Sequence, residues 1–299
     1  MTTSNQLDAS TRSRHARPPV DEAEDGMASF ETVIRPRRGW ISVDWAELYH
    51  SHELFYTLVI RDIKIRYKQT VLGVAWAVIQ PVFTMVVFTV VFGRLVGVKT
   101  DSVPYPLFAL AALVPWTFFT NAVMGAALSL VNQQHLLTKI YFPRLYVPAA
   151  TVGGFMVDLA IGLALFVLVM PFYGYSPGWE ILALPAIIAL TFLATIGVGL
   201  ILAAATVMYR DLRFVIPFVL QTLMYVTPVI YKADVLPRWV QYAAALNPMF
   251  GIINAYRASI LGMPWDLPTL AISTASTAAM LVFGLFFFRR SEPLFADIA

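Results

Sequence analysis

Apolar residues in this chain come in long, almost unbroken runs, not in the alternating or one-faced patterns of a water-facing fold. Six runs approach or exceed the roughly 20 residues a helix needs to cross about 30 Å of hydrocarbon. They are Val71–Val96, Leu107–Val131, Pro148–Met170, Ile181–Val207, Phe214–Tyr231 and Leu267–Phe288. The fifth is the shortest, 18 residues interrupted by Pro217 and Pro228. Prolines are tolerated inside a bundle because neighbouring helices satisfy the freed backbone groups. The pattern predicts an all-α integral membrane fold with six transmembrane helices.

Two connections break the simple alternation of span and loop. In Glu53–Lys68 the apolar Leu54, Phe55, Leu58, Val59 and Ile63 recur at helical spacing, opposite Arg61, Lys64 and Lys68. Such a basic amphipathic helix lies in the membrane interface with its cations near anionic headgroups; a plain N-terminal extension of the first span also fits. The loop Lys232–Asp266 holds two apolar pieces, Trp239–Leu246 and Met249–Leu261, between Pro237, Pro248 and Pro264. Both are too short to cross a bilayer. They are expected to dip in and return as re-entrant helices between spans five and six, which suits a pathway mouth because irregular backbone at membrane depth must be buried in protein or line a wet cavity. A surface hairpin fits their periodicity equally well.

Composition agrees with a lipid solvent. Of 299 residues, 59% are hydrophobic and 13% charged, against roughly 45–50% and 25% in soluble domains. Charge also divides the chain. Residues 1–53 carry six Arg and nine Asp or Glu, and the stretch to Gly39 has neither periodicity nor enough apolar content to order itself. The expected organisation is a disordered cytoplasmic tail over 1–39, a cytoplasmic and interfacial segment over 40–70, a transmembrane domain over 71–290 and a cytoplasmic C-terminal tail over 291–299. No apolar h-region follows the early arginines, so a signal peptide is not expected. Lys and Arg in the connections set the orientation. One side holds ten (Arg61, Lys64, Arg66, Lys68, Lys139, Arg144, Arg210, Arg213, Arg289, Arg290) and the other five (Arg94, Lys99, Lys232, Arg238, Arg257), which puts both termini in the cytoplasm.

Reactive chemistry is scarce. There is no cysteine, and His15, His50, His52 and His135 are scattered without a metal-binding spacing. No G-x-x-x-x-G-K-[ST], H-E-x-x-H or G-x-S-x-G occurs. Asp158 is the one ionisable residue well inside an apolar run. Intramembrane acids face the interior and mark either a relay or a bond between helices. Aromatic residues make up 14% of the chain. Their plain role is an interfacial belt, although Tyr and Trp rings also suit the C–H faces of sugars. Gly93 with Gly97, Gly125 with Ser129, and Gly197 with Gly199 permit close helix approach and hint at a dimer, through a pattern common in membranes.

Four segments, in order on this six-span profile, bear a resemblance to one family. They are Arg61–Trp76 followed by Gln80-Pro81, then Tyr209-Arg210-Asp211, then Thr227-Pro228-Val229-Ile230-Tyr231, then Asn247-Pro248 with Arg257. The chain resembles the transmembrane subunits of bacterial ABC exporters for polysaccharides, O-antigen above all, over about Glu53 to Arg290. The resemblance implies a homodimer joined by two copies of a separate cytoplasmic ATPase, so that ATP and Mg belong to the partner and this chain holds no cofactor or metal. It also implies an interface helix over Glu53–Lys68, gate helices within Lys232–Met263, and ATPase coupling through Asn132–Arg144 with His135, Lys139, Tyr141, Phe142 and Arg144.

The function implied is export across the inner membrane of a polysaccharide linked to undecaprenyl diphosphate, with membrane lipids and no nucleic acid as further partners. Arg61, Lys64, Arg66 and Lys68 are the expected entry for the lipid diphosphate, and Tyr225, Tyr231, Tyr242, Asn247, Tyr256 and Arg257 the expected glycan pathway or gate. A permease for teichoic acid, capsule, or a small lipid or drug shares the hydropathy. A membrane-bound glycan-processing enzyme needs clustered acids or histidines in its loops, which this chain lacks.

Overall fold

Without water, a backbone must satisfy its own polar groups, so the apolar runs fold as helices. The computed structural model describes residues 52–68, 74–100, 103–133, 143–293 and 295, all within the compact unit Ile41–Ala299. The tail expected over 1–39 lies outside the described residues. Among the described residues every regular element is helical: α1 His52–Lys68, α2 Val74–Phe88 continuing as a π-helical stretch Thr89–Leu95, α3 Tyr105–Asn132, α4 Tyr146–Val169, α5 Leu184–Met208, α6 Leu212–Val226, α7 Arg238–Ala244, α8 Pro248–Leu261 and α9 Leu267–Ser291.

Among the described residues, five helical segments are long and apolar enough to cross a membrane: Ala75–Leu95, Tyr105–Asn132, Tyr146–Tyr173, Trp179–Met208 and Leu267–Ser291. The fifth expected span differs from its sequence outline. In place of Phe214–Tyr231 there is the 15-residue α6, which reaches about 22 Å. Pro228 has no N–H and pushes the preceding residue out of helical space; Thr227 accordingly turns extended (φ −85°, ψ 140°) and ends the helix.

α3 is the axis of the bundle. Its apolar window is 78% buried, against 11% for α2 and 17% for α9. It packs on α4, α5, α8 and α2, while α9 packs on α5. A Cβ on Gly284 of α9 would lie 2.6 Å from the carbonyl oxygen of Gly197 of α5, and one on Gly125 of α3 would lie 2.6 Å from the Phe155 ring. Of the small residues that hinted at a dimer, Gly93, Gly125, Gly197 and Gly199 are thus used for close packing within the chain, whereas Gly97 has no neighbour within 4 Å.

A second core cluster, with Leu58, Leu130, Leu145, Tyr146, Leu200 and Phe288, gathers α1 and the ends of α3, α4, α5 and α9. Apolar faces are left uncovered on α2 and α6, as on α9. That on α2 runs through Trp76, Ile79, Phe83, Val86, Val87 and Val90, and that on α6 through Phe214, Val215, Phe218, Val219, Tyr225 and Val226.

Candidate functional site

The amphipathic segment folds as a helix, and its inward face is more than apolar. Leu58 is buried, and Val59 meets α4 at Gly153, where an added Cβ would stand 3.1 Å from the valine methyl. Polar contacts fix the middle and the C-terminal end of the helix. The Thr151 hydroxyl of α4 donates to Asp62 at 3.0 Å, and Arg61 donates to Asp62 at 2.7 Å and to Gln133, just past the end of α3, at 2.7 Å. One turn on, Arg66 pairs with Asp158 at 2.8 Å and lies 3.3 Å from the centre of the Phe155 ring, while the Tyr67 hydroxyl donates to the other oxygen of Asp158. Burial first, then the hydrogen bond and charge of Asp158, push the Tyr67 hydroxyl well above the ordinary tyrosine range, so it remains a donor.

The four cations of the expected entry belt therefore separate into two kinds. Arg61 and Arg66 are engaged by carboxylates, whereas Lys64 and Lys68 are exposed. Beside them a half-open cavity of about 590 Å³ extends between α1, α2, α3 and α4, with Arg66, Tyr67 and Asp158 in its polar part and Trp76, Phe118 and Phe155 among its apolar walls.

At the far end of the bundle, the later sequence motifs converge. The extended stretch after α6 leaves carbonyls that no helix satisfies, and buried carbonyls require donors. Arg257 of α8 supplies them: Nη1 donates to Pro228 O at 2.5 Å, Nη2 to Val229 O at 2.8 Å and Nε to Phe108 O at 3.3 Å. Its guanidinium lies 3.5 Å from the centre of the Phe108 ring and the residue is 2% exposed. The Tyr105 hydroxyl donates to Ile230 O at 3.1 Å, and Asn247 both caps α8 through Met249 N and donates to the Thr227 hydroxyl at 2.8 Å. Thr227–Tyr231, Asn247-Pro248 and Arg257, separate in sequence, are one hydrogen-bonded unit.

The expected pathway residues also fall into two groups. Tyr225 and Tyr242 are exposed. Tyr256 is fully buried, its hydroxyl 3.2 Å from that of Thr191, and Tyr231 donates to the carbonyls ending α6. With Asn247 and Arg257 bonded as above, these four side chains hydrogen-bond within the frame, and Arg257 also borders a cavity of about 390 Å³. Of the coupling residues, His135, Lys139, Tyr141 and Phe142 lie outside the described residues; Arg144 donates to Glu292 O beyond α9 at 2.8 Å. Sequence reasoning missed Asp62, Gln133, Thr151 and Phe155. Only Asp62 left a trace, as a lone acid inside a basic block.

Residues 53–261 match the model of the ABC-2 type transporter family. The chain belongs to that family. It is a multi-pass membrane permease, a transport subunit and not an enzyme. It is 28% identical over 251 residues to the O-antigen export system permease protein RfbA of Myxococcus xanthus, covering 82% of this chain and 95% of that protein. A protein of the same name from Klebsiella pneumoniae is 24% identical, with 84% and 97% covered. The polysialic acid transport protein KpsM of Escherichia coli is 22% identical over 79% of this chain and 92% of its own length.

Proposed function

We propose that this permease exports a polysaccharide of the O-antigen type, linked to undecaprenyl diphosphate, across the bacterial inner membrane. Two copies of the chain form the pathway, and two copies of a separate ABC ATPase bind ATP and Mg and supply the energy. The observation that carries the reading is the likeness to O-antigen export permeases along 82% of the chain. The polysialic acid relative favours a capsule-type glycan as the second reading.

In this reading α6 with the extended Thr227–Tyr231 is the fifth of six spans, α7 and α8 are the re-entrant pair, and both termini are cytoplasmic. Lys64 and Lys68, exposed on α1, receive the diphosphate electrostatically, while Arg61 and Arg66 hold the helix in place. His135, Lys139, Tyr141 and Phe142 couple to the ATPase, with Arg144 anchoring the segment. The exposed rings of Tyr225 and Tyr242 let the glycan slide. The uncovered apolar faces of α2 and α6 suit lipid and the second copy.

The test is the double charge reversal Lys64→Glu with Lys68→Glu. Surface glycan is expected to fall sharply while the variant still co-purifies with its ATPase; unchanged export would remove these lysines from the entry.

A further inference from the structure

The apolar segment that contains α2, Ala75–Leu95, has 21 residues and rises about 31 Å, close to the thickness of the hydrocarbon. Its two ends therefore mark the two borders of the membrane. Gly93, near the far end, packs on Tyr105 at the start of α3, where an added Cβ would stand 3.1 Å from the ring. Trp76, Gln80 and Pro81, near the other end, instead line the cavity of about 590 Å³ together with Thr117 and Asn121 of α3. The cavity thus sits at the border where α2 begins, and Trp76 continues its wall onto the uncovered apolar face of α2.

The walls combine hydrocarbon with a few uncharged polar groups. Val114, Phe118 and Phe155 join Trp76 as the apolar part. The charges on the wall cancel, because Arg66 pairs with Asp158 at 2.8 Å and Tyr67 is bonded to the same carboxylate. Thr117 and Asn121, one turn apart on α3, share a face, and Gln80 of α2 lines the same space. Asn121 is exposed although α3 is the most deeply buried span, and Gln80 is exposed as well. Among the described residues none of these three side chains has a hydrogen-bond partner. An amide or hydroxyl left bare against lipid chains is costly, so the site calls for acceptors.

The occupant must be apolar over most of its surface, uncharged where it enters, and able to accept hydrogen bonds at the membrane border. The ester region of a glycerophospholipid has that character, with two carbonyl oxygens that only accept, set between hydrocarbon chains and a head group that stays in water. A polyprenyl chain is hydrocarbon up to its phosphate and gives those donors no acceptor, and the matched Arg66 and Asp158 leave no free charge for the phosphate itself. The volume lies within the range of small-molecule sites, enough for part of a lipid whose remainder follows α2. We infer that the cavity between α1, α2, α3 and α4 binds one bilayer glycerophospholipid, its ester carbonyls accepting from Asn121, Gln80 and Thr117 and an acyl chain lying against Trp76, Phe118 and Phe155. The inference holds whichever glycan is carried, because it uses only the membrane setting of the family.

The full-length chain, stripped of lipid in detergent, is titrated with dioleoyl phosphatidylethanolamine and with its dialkyl ether analogue, which keeps the chains and head group and lacks the ester carbonyls. Bound lipid is counted by native mass spectrometry. The diester is expected to saturate at one molecule per chain and to be retained several-fold more than the ether. Asn121→Leu combined with Gln80→Leu is expected to lower diester retention to the ether level while ether retention stays at the wild-type value, which also shows that the fold persists. Asn121→Leu alone is expected to remove part of the preference, so the test does not depend on the double variant. Gln221→Leu, which removes an exposed amide on α6 outside the cavity, is expected to leave the preference intact. Equal retention of diester and ether overturns the site, as does a preference that survives the double substitution. Displacement of the diester by an equal concentration of undecaprenyl phosphate overturns it in favour of the lipid carrier.

Discussion

Arg257 and Asp158 are charged residues carried on helices that make up the bundle, and each is held by several partners. Desolvated charge is tolerated when its hydrogen-bonding capacity is filled. Arg257 fills its capacity with backbone carbonyls, which a lysine cannot match because it lacks the planar fork. Arg257→Ala leaves those carbonyls unpaired at a cost of about 1–3 kcal/mol for each buried group, so the variant is expected to disappear from membranes in a quantitative immunoblot, with Arg257→Lys recovering only part of the wild-type level. Asp158 joins α4 to α1 through Arg66 and Tyr67. Asp158→Ala is expected to cost about 1–2 kcal/mol in thermal unfolding of the solubilised protein. Arg66→Ala in the same background should add little further loss, because the pair acts as one unit. The raised Tyr67 keeps its proton at neutral pH, so its contribution is complete below the ordinary tyrosine value of about 10 and is lost only as pH rises through the raised value. A melting profile flat between neutral and mildly alkaline pH checks that sign.

Helix packing shows which patterns along the chain carry over to three dimensions. The spans were readable because hydrocarbon length imposes a minimum run, and the α1 helix because cations and apolar residues alternate at helical spacing. The end of α6 was not, since hydropathy continues through Pro228 to Tyr231 while the backbone leaves helical space at Thr227. Nor was the role of the small residues, because a glycine pattern reports that a close neighbour is possible without saying which one. In the structure that neighbour is within the chain: a side chain at Gly284 meets the backbone of Gly197. Gly284→Val is expected to separate α5 from α9 and to lower the unfolding temperature, at a cost of about 1–3 kcal/mol from overpacking. At the candidate site, the exposed Lys64 and Lys68 were visible from charge alone. The partners that immobilise Arg61 and Arg66 were not, since Gln133 and Asp158 are 72 and 92 residues away in sequence.

The helical bundle has hydrogen-bonded fixed points at both ends. Near Gln133 helix α1 is bonded to the residue just past α3, and near Phe108 the stretch after α6 is bonded to α8. Helix α1 is thereby connected through Arg61 to the end of α3, and through Arg66 to α4 and the 590 Å³ cavity. The chain is a transport subunit and not an enzyme. The most direct test is the fate of the lipid-linked glycan in cells deleted for the gene and complemented with it. The account predicts that deletion removes surface glycan and leaves unaltered lipid-linked polymer inside the cell, and that the gene restores the surface glycan only when the partner ATPase has an intact nucleotide site. Restoration by the chain with an inactive ATPase, or a deletion that changes the chemical structure of the polymer and not its location, would contradict it.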